Sequence, residues 1–233
     1  TAFGTMAQAS GAMVRNDGGL QISLKGSGSG IGLPGDLDAV MRIPAAYDRL
    51  GLDVGIVDWS LGELAARLGA PEGRVSGFPA DIVFVFVFEP GQGFTQFGLQ
   101  AEAKDGNLKL GSDTFSVNEL DFDVAYDPAA DELQVNSASL VSPRLSATVS
   151  GLIENAISSG VPTEFDLVSN DVSLDLMPYF PTAWSFSDIA LDGSFNADYS
   201  RLTLDSFSFT TSGTKFSGEL NARRPDEGAV PGK

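Results

Sequence analysis

The chain has 233 residues, enough to bury a sizeable core as one all-β domain or two smaller ones. Its 31 acidic and 14 basic residues give a formal net charge of -17, which repels phosphate backbones and anionic headgroups and argues against nucleic acid as a partner. Neither cysteine nor histidine occurs, so disulfides, thiolate metal sites and every Ser-His or Cys-His catalytic pair are excluded.

Residues 1–35 carry Gly11, Gly18, Gly19 and the run GSGSGIGLPG, and they predict a flexible or weakly structured segment with one strand about Leu20, Ile22 and Leu24. Within it, GIGLPG at 30–35 matches the spacing G-x-G-x-x-G. The dinucleotide fingerprint needs those glycines to open a helix on which a pyrophosphate sits, and Pro44 interrupts the segment that follows Asp36. A loop is the better reading. The opening Thr1 and the lack of a charged-then-apolar leader suggest a mature or excised segment, any targeting information lying upstream.

WSLGELAARLGAP at 59–71 predicts a short amphipathic helix over 61–68. Ser60 can cap it with Glu63 completing a capping box, Trp59 can staple onto Leu64, and Gly69 and Pro71 end it. Then comes an unbroken apolar row, Ile82 to Phe88. Strand side chains alternate between faces, so Val83, Val85 and Val87 fall on one side and Phe84, Phe86 and Phe88 on the other. The preceding helix is expected to cover the valines, leaving the phenylalanines to face whatever the sheet encloses. Seven apolar residues fall well short of the roughly 18 to 20 a membrane-crossing helix needs.

From about residue 95 the pattern is period two. LDFDVAY sets Leu120, Phe122, Val124 and Tyr126 against Asp121, Asp123 and Ala125; VSLDL repeats this with Val172, Leu174 and Leu176. RLTLDSFSF carries Leu202 and Leu204, then Phe207 and Phe209 after a slip at Asp205 and Ser206 that predicts a bulge. Asp105-Gly106, Asp127 to Asp131, Pro143 and Asp192-Gly193 supply turn signals, of which the first two read as hairpin loops. The stretches beginning at Gly51 and Ser169 share a weak repetition: strand, Trp-bearing apex, Gly-led strand. Residues 223–233, RRPDEGAVPGK, read as a disordered tail.

The Asp-x-Asp pairs at 36 and 38 and at 121 and 123 lack the spacing of a calcium loop and are explained by solvated outer faces. No carboxylate pair stands out for glycoside chemistry, so no enzyme, metal or cofactor is expected. The compositional bias is in the aromatics, 16 Phe against 4 Tyr and 2 Trp. Phe offers apolar surface without the polar tip that sugar or protein partners use, which suits hydrocarbon and equally suits an ordinary β-sandwich core built from Phe.

The phrases WSLGELAARLGAPEGRVSG, VNELDFDVAYDPAADELQVNSASLVSPRLSATVSGLIE and IALDGSFNADYSRLTLDSFSFTTSGTKFSGELNA resemble the AsmA-like family of Gram-negative envelope proteins, in particular its large TamB-like and YhdP-like members, over roughly residues 50–222. The resemblance implies a long twisted antiparallel sheet curled into a groove with an apolar interior. It also implies a periplasmic location, phospholipid transfer between inner and outer membranes, and an inner-membrane anchor outside this chain. It brings no catalytic residues.

Together these readings predict a mainly β protein with its β-groove domain over 36–222. Its lipid-facing side consists of Phe84, Phe86, Phe88, Phe122, Val124, Leu174, Leu191, Phe195, Leu202, Leu204, Phe207 and Phe209, with phospholipid acyl chains as the partner. The alternatives are a structural or adhesive β-sandwich module of a surface layer or appendage, a fragment of an outer-membrane barrel, and a hydrolase, each able to use the same strands.

Overall fold

A computed structural model describes residues 5–29, 35–62, 73–110, 113–175, 177 and 182–223. Fourteen strands run through them: β1 (Thr5–Asn16), β2 (Gly19–Ser29), β3 (Gly35–Pro44), β4 (Leu50–Ser60), β5 (Val75–Gly77), β6 (Pro79–Glu89), β7 (Gly93–Leu110), β8 (Asp113–Asp127), β9 (Glu132–Val141), β10 (Leu145–Glu154), β11 (Thr163–Leu174), β12 (Trp184–Phe195), β13 (Arg201–Thr211) and β14 (Thr214–Arg223). They form one antiparallel sheet in chain order, β1 to β14, with the short β5 lying beside β7 in line with β6. Each strand is joined to the next in the chain, so the whole sheet is a meander, and it does not close into a barrel.

All fourteen strands belong to one sheet, and among the described residues every substantial backbone contact is between ladder neighbours. Among those residues no helix is long and apolar enough to cross a membrane. The helix expected over 61–68 shows only its start, Leu61 and Gly62; residues 63–68 lie outside the described residues.

Several local expectations change. Residues 5–29 build two strands, not one, because the β1–β2 ladder runs from Thr5 opposite Ser29 to Asn16 opposite Gly19 on backbone hydrogen bonds that glycine and serine can supply. GIGLPG leads into strand β3 and not into a helix; residues 30–34 lie outside the described residues. Asp105-Gly106 is not a hairpin. It lies inside β7, where Asp105 adopts φ 52° and the ladder crosses from β6 to β5. Asp192-Gly193 lies inside β12, at a register shift against β13.

Other signals hold. The loop after Asp127 joins β8 to β9, with the Asp127 carboxylate accepting from the N–H groups of Ala129 and Ala130. Pro143 lies between β9 and β10, and β13 has its bulge between Leu204 and Phe207. Leu176 lies outside the described residues, as does the expected tail beyond Arg223, which itself ends β14.

Candidate functional site: one apolar face across the sheet

Directly opposed residues of an antiparallel pair point to the same face, so the register can be followed from strand to strand. Starting at Phe84, the row runs through Leu99 of β7, Val124 of β8, Val135 of β9 and Gly151 of β10 to Leu167 of β11, Leu191 of β12, Phe207 of β13 and Gly218 of β14. In the other direction it passes Val54 of β4, Ala39 of β3 and Leu24 of β2 to Gly11 of β1. Neighbouring rows on this face are also apolar, for example Leu52, Phe86, Phe97, Tyr126, Leu133, Ile153 and Phe165.

All twelve residues singled out from the sequence fall on this face. Phe84, Phe86 and Phe88 come from β6, Phe122 and Val124 from β8, and Leu174 from β11; Leu191 and Phe195 come from β12, and Leu202, Leu204, Phe207 and Phe209 from β13. Sequence reasoning missed the contribution of the N-terminal strands, with Leu20, Ile22, Leu37, Met41, Leu52 and Ile56 on the same side. A rule of alternation applied to β4, LGLDVGIVDWS, would have found its members.

The opposite face is polar and acidic. It carries Asp38, Asp53, Asp81, Glu102, Asp121, Asp123, Glu164, Asp166 and Asp192, with Lys25 paired to Asp38 at 2.8 Å and Arg42 paired to Asp53. Exposed pairs of this kind contribute little to stability, about 0 to 1 kcal/mol, and their effect is to keep this side wet. Glu102, Glu119 and Asp121 bring carboxylate oxygens within 4.8 Å of one another here. Lys104 sits among them, its ammonium held above its ordinary pKa of 10.5, by Glu102 first and then by Glu119 and Asp121. Val83, Val85 and Val87 also belong to this side, where they are half-buried beside Gly51, Gly55 and Gly98, the last lying under Val85. The described start of the segment expected to cover them, Leu61, packs instead into the apolar face's own cluster.

That cluster is the best-buried part of the apolar face. Ile56, Trp59, Phe78, Ala80, Ile82, Ala103 and Val117 pack together across β4 to β8, with Phe78 wholly buried. The indole Nε1 of Trp59 is buried there with no hydrogen-bond partner among the described residues, at a cost of roughly 1–3 kcal/mol.

Away from the cluster the face is mixed: Val135 and Phe165 are buried, most members are half-buried, and several large rings are exposed. Phe94 is 65% exposed, Phe216 46%, Trp184 41% and Phe122 38%. Aromatic rings collect in three groups on it. Phe84, Phe86, Phe88, Phe94 and Phe97 meet at one end of β6 and β7, and Phe165, Phe195 and Tyr199 meet at the same end of β11 and β12. Trp184, Phe186, Phe207, Phe209 and Phe216 meet at the other end of β12 to β14. Comparison with protein-family models, with curated proteins and with solved structures finds no match.

Proposed function

We propose that the chain is a segment of an AsmA-like lipid-transfer protein of the Gram-negative periplasm, and that its apolar face is the floor of an open groove along which phospholipid acyl chains pass between inner and outer membranes. The observation that supports this reading is the apolar face that runs across thirteen strands of one sheet that does not close into a barrel. Water on such a face costs about 25 cal/mol for each Å² of apolar surface. An acyl chain relieves that cost at about 0.8 kcal/mol per methylene. The same chain leaves a membrane interior that already shields it, so moving from bilayer to groove is close to neutral. A passive conduit needs that balance, because a lipid held much more tightly than in the membrane would not leave. Headgroups stay in water, no bond is made or broken, and the acidic outer face keeps the sheet dissolved.

Native mass spectrometry of the chain after mixing with phosphatidylethanolamine and phosphatidylglycerol vesicles tests the reading. Bound phospholipid that survives separation from the vesicles is expected. A chain that remains lipid-free while retaining its β circular dichroism contradicts it.

A further inference from the structure

Among the described residues no strand pairs with the outer edge of β1 or of β14, and the two differ in how they present those edges. An unpaired edge is a template for another strand, and proteins that leave one unpaired blunt it with bulges, prolines or inward-pointing charges. At the first edge, β1 has a register irregularity between Met6 and Gln8, and Arg15 stands on the apolar face opposite Leu20. At the other edge, β14 has no bulge, proline or inward-pointing charge, and its charges, Lys215, Glu219 and Arg223, are of both signs. It pairs regularly with β13, whose bulge absorbs the extra residue. It keeps the inward and outward alternation of an interior strand: Phe216, Leu220 and Ala222 on the apolar face, Lys215, Ser217, Glu219 and Asn221 on the polar one. All ten of its residues are exposed.

We propose that the β14 edge pairs antiparallel with β14 of a second copy of this chain, about a two-fold axis perpendicular to the sheet. Such an axis reverses strand direction and keeps each face on its own side, so the ladder continues as every ladder in the sheet does and the apolar face runs on into the partner. The charges set the register. Centred on Ser217, the pairing puts Lys215 opposite Glu219 of the second copy twice over and uses the seven residues 214–220. Centred on Glu219, it would oppose Glu219 to itself and Lys215 to Arg223. In the favoured register Phe216 of each copy is diagonal to the other across Gly218, which extends the Phe207, Phe209 and Phe216 stack over the axis. Pairing with β1 of a second copy is disfavoured, because in the same face-preserving arrangement it would be parallel and would offer Ser10, Ala12 and Val14 to the charged side chains.

Sedimentation equilibrium of the whole chain tests this, with Lys215→Glu, Glu219→Lys and the double exchange K215E/E219K. A concentration-dependent dimer is expected for the wild type. Each single substitution should raise its dissociation constant roughly tenfold by opposing like charges, and the double exchange should restore it. A wild type that stays monomeric at about 100 μM, or a dimer indifferent to all three variants, overturns the proposal. These residues lie on the polar face, so lipid uptake by the single variants should be unchanged. The loss of dimer and the loss of lipid binding are therefore read independently.

Discussion

Phe78 sets the interior of the sheet. It lies between β5 and β6 at φ 58°, a left-handed conformation rare for a bulky side chain, and it is completely buried. Its carbonyl accepts from the Leu61 N–H, and its ring fills the space over Gly106, where any Cβ would lie 2.1 Å from a ring carbon. Strain at one residue is therefore held by packing on three elements. Phe78→Ala should lower unfolding free energy by about 3–5 kcal/mol, and Gly106→Ala by about 1–3 kcal/mol through overpacking, both read by urea denaturation. A second fixed point is Asp131. Its carboxylate accepts from the Tyr126 hydroxyl and from the Ile157 and Ser158 N–H groups, pinning the loop between β10 and β11. The Ser158 hydroxyl first, then Tyr126 and the two backbone donors, hold its pKa below the ordinary 3.8. A depressed carboxylate stabilises the fold above the unfolded value and loses that effect as pH falls through the folded one. Amide exchange at Ile157 and Ser158 should accordingly speed up as pH drops below 3.8, relative to the intrinsic rate, and Asp131→Asn should abolish that dependence.

Among the elements, strands with clean alternation were legible and those without it were not. LDFDVAY and RLTLDSFSF have one apolar side each, and the bulge in β13 followed from a single slip in spacing. TMAQASGAMVRN in β1 has small or mixed residues on both sides, so period two carries no signal, yet its backbone groups complete a ladder as well as any others. Dipeptides that often make turns misled where a glycine was required for another reason. Gly106 makes room for Phe78, and at Gly193 a Cβ would sit 2.2 Å from the Thr203 carbonyl oxygen of the adjoining strand. The row Leu167, Leu191 and Phe207 crosses β11 to β13 on the apolar face, with Asp192 next in the chain on the other side. Leu191→Asp places a charge in that row and should reduce bound phospholipid in native mass spectra at least about tenfold while the circular dichroism stays β. Asp192→Asn should leave lipid binding as it was.

At the scale of the whole molecule, alternation predicts half-buried strands but is silent on what buries them, since a sandwich and an uncovered sheet share the same period. That is why the twelve apolar positions could be assigned to one side from the sequence, whereas the continuity of all the strands in one open sheet emerged only with the ladder order. Phenylalanine in place of tyrosine and tryptophan is the residue-level basis for the proposal that this side takes hydrocarbon. Neighbouring residues 122 and 123 offer the sharpest comparison, because Phe122 points to the apolar face and Asp123 to the polar one within a single strand. A photo-crosslinking amino acid replacing one or the other, in cells making phospholipid, reads the two faces separately. Crosslinked phospholipid from position 122 and none from 123 is predicted; equal labelling at both, or none at either, would contradict a hydrocarbon-bearing face.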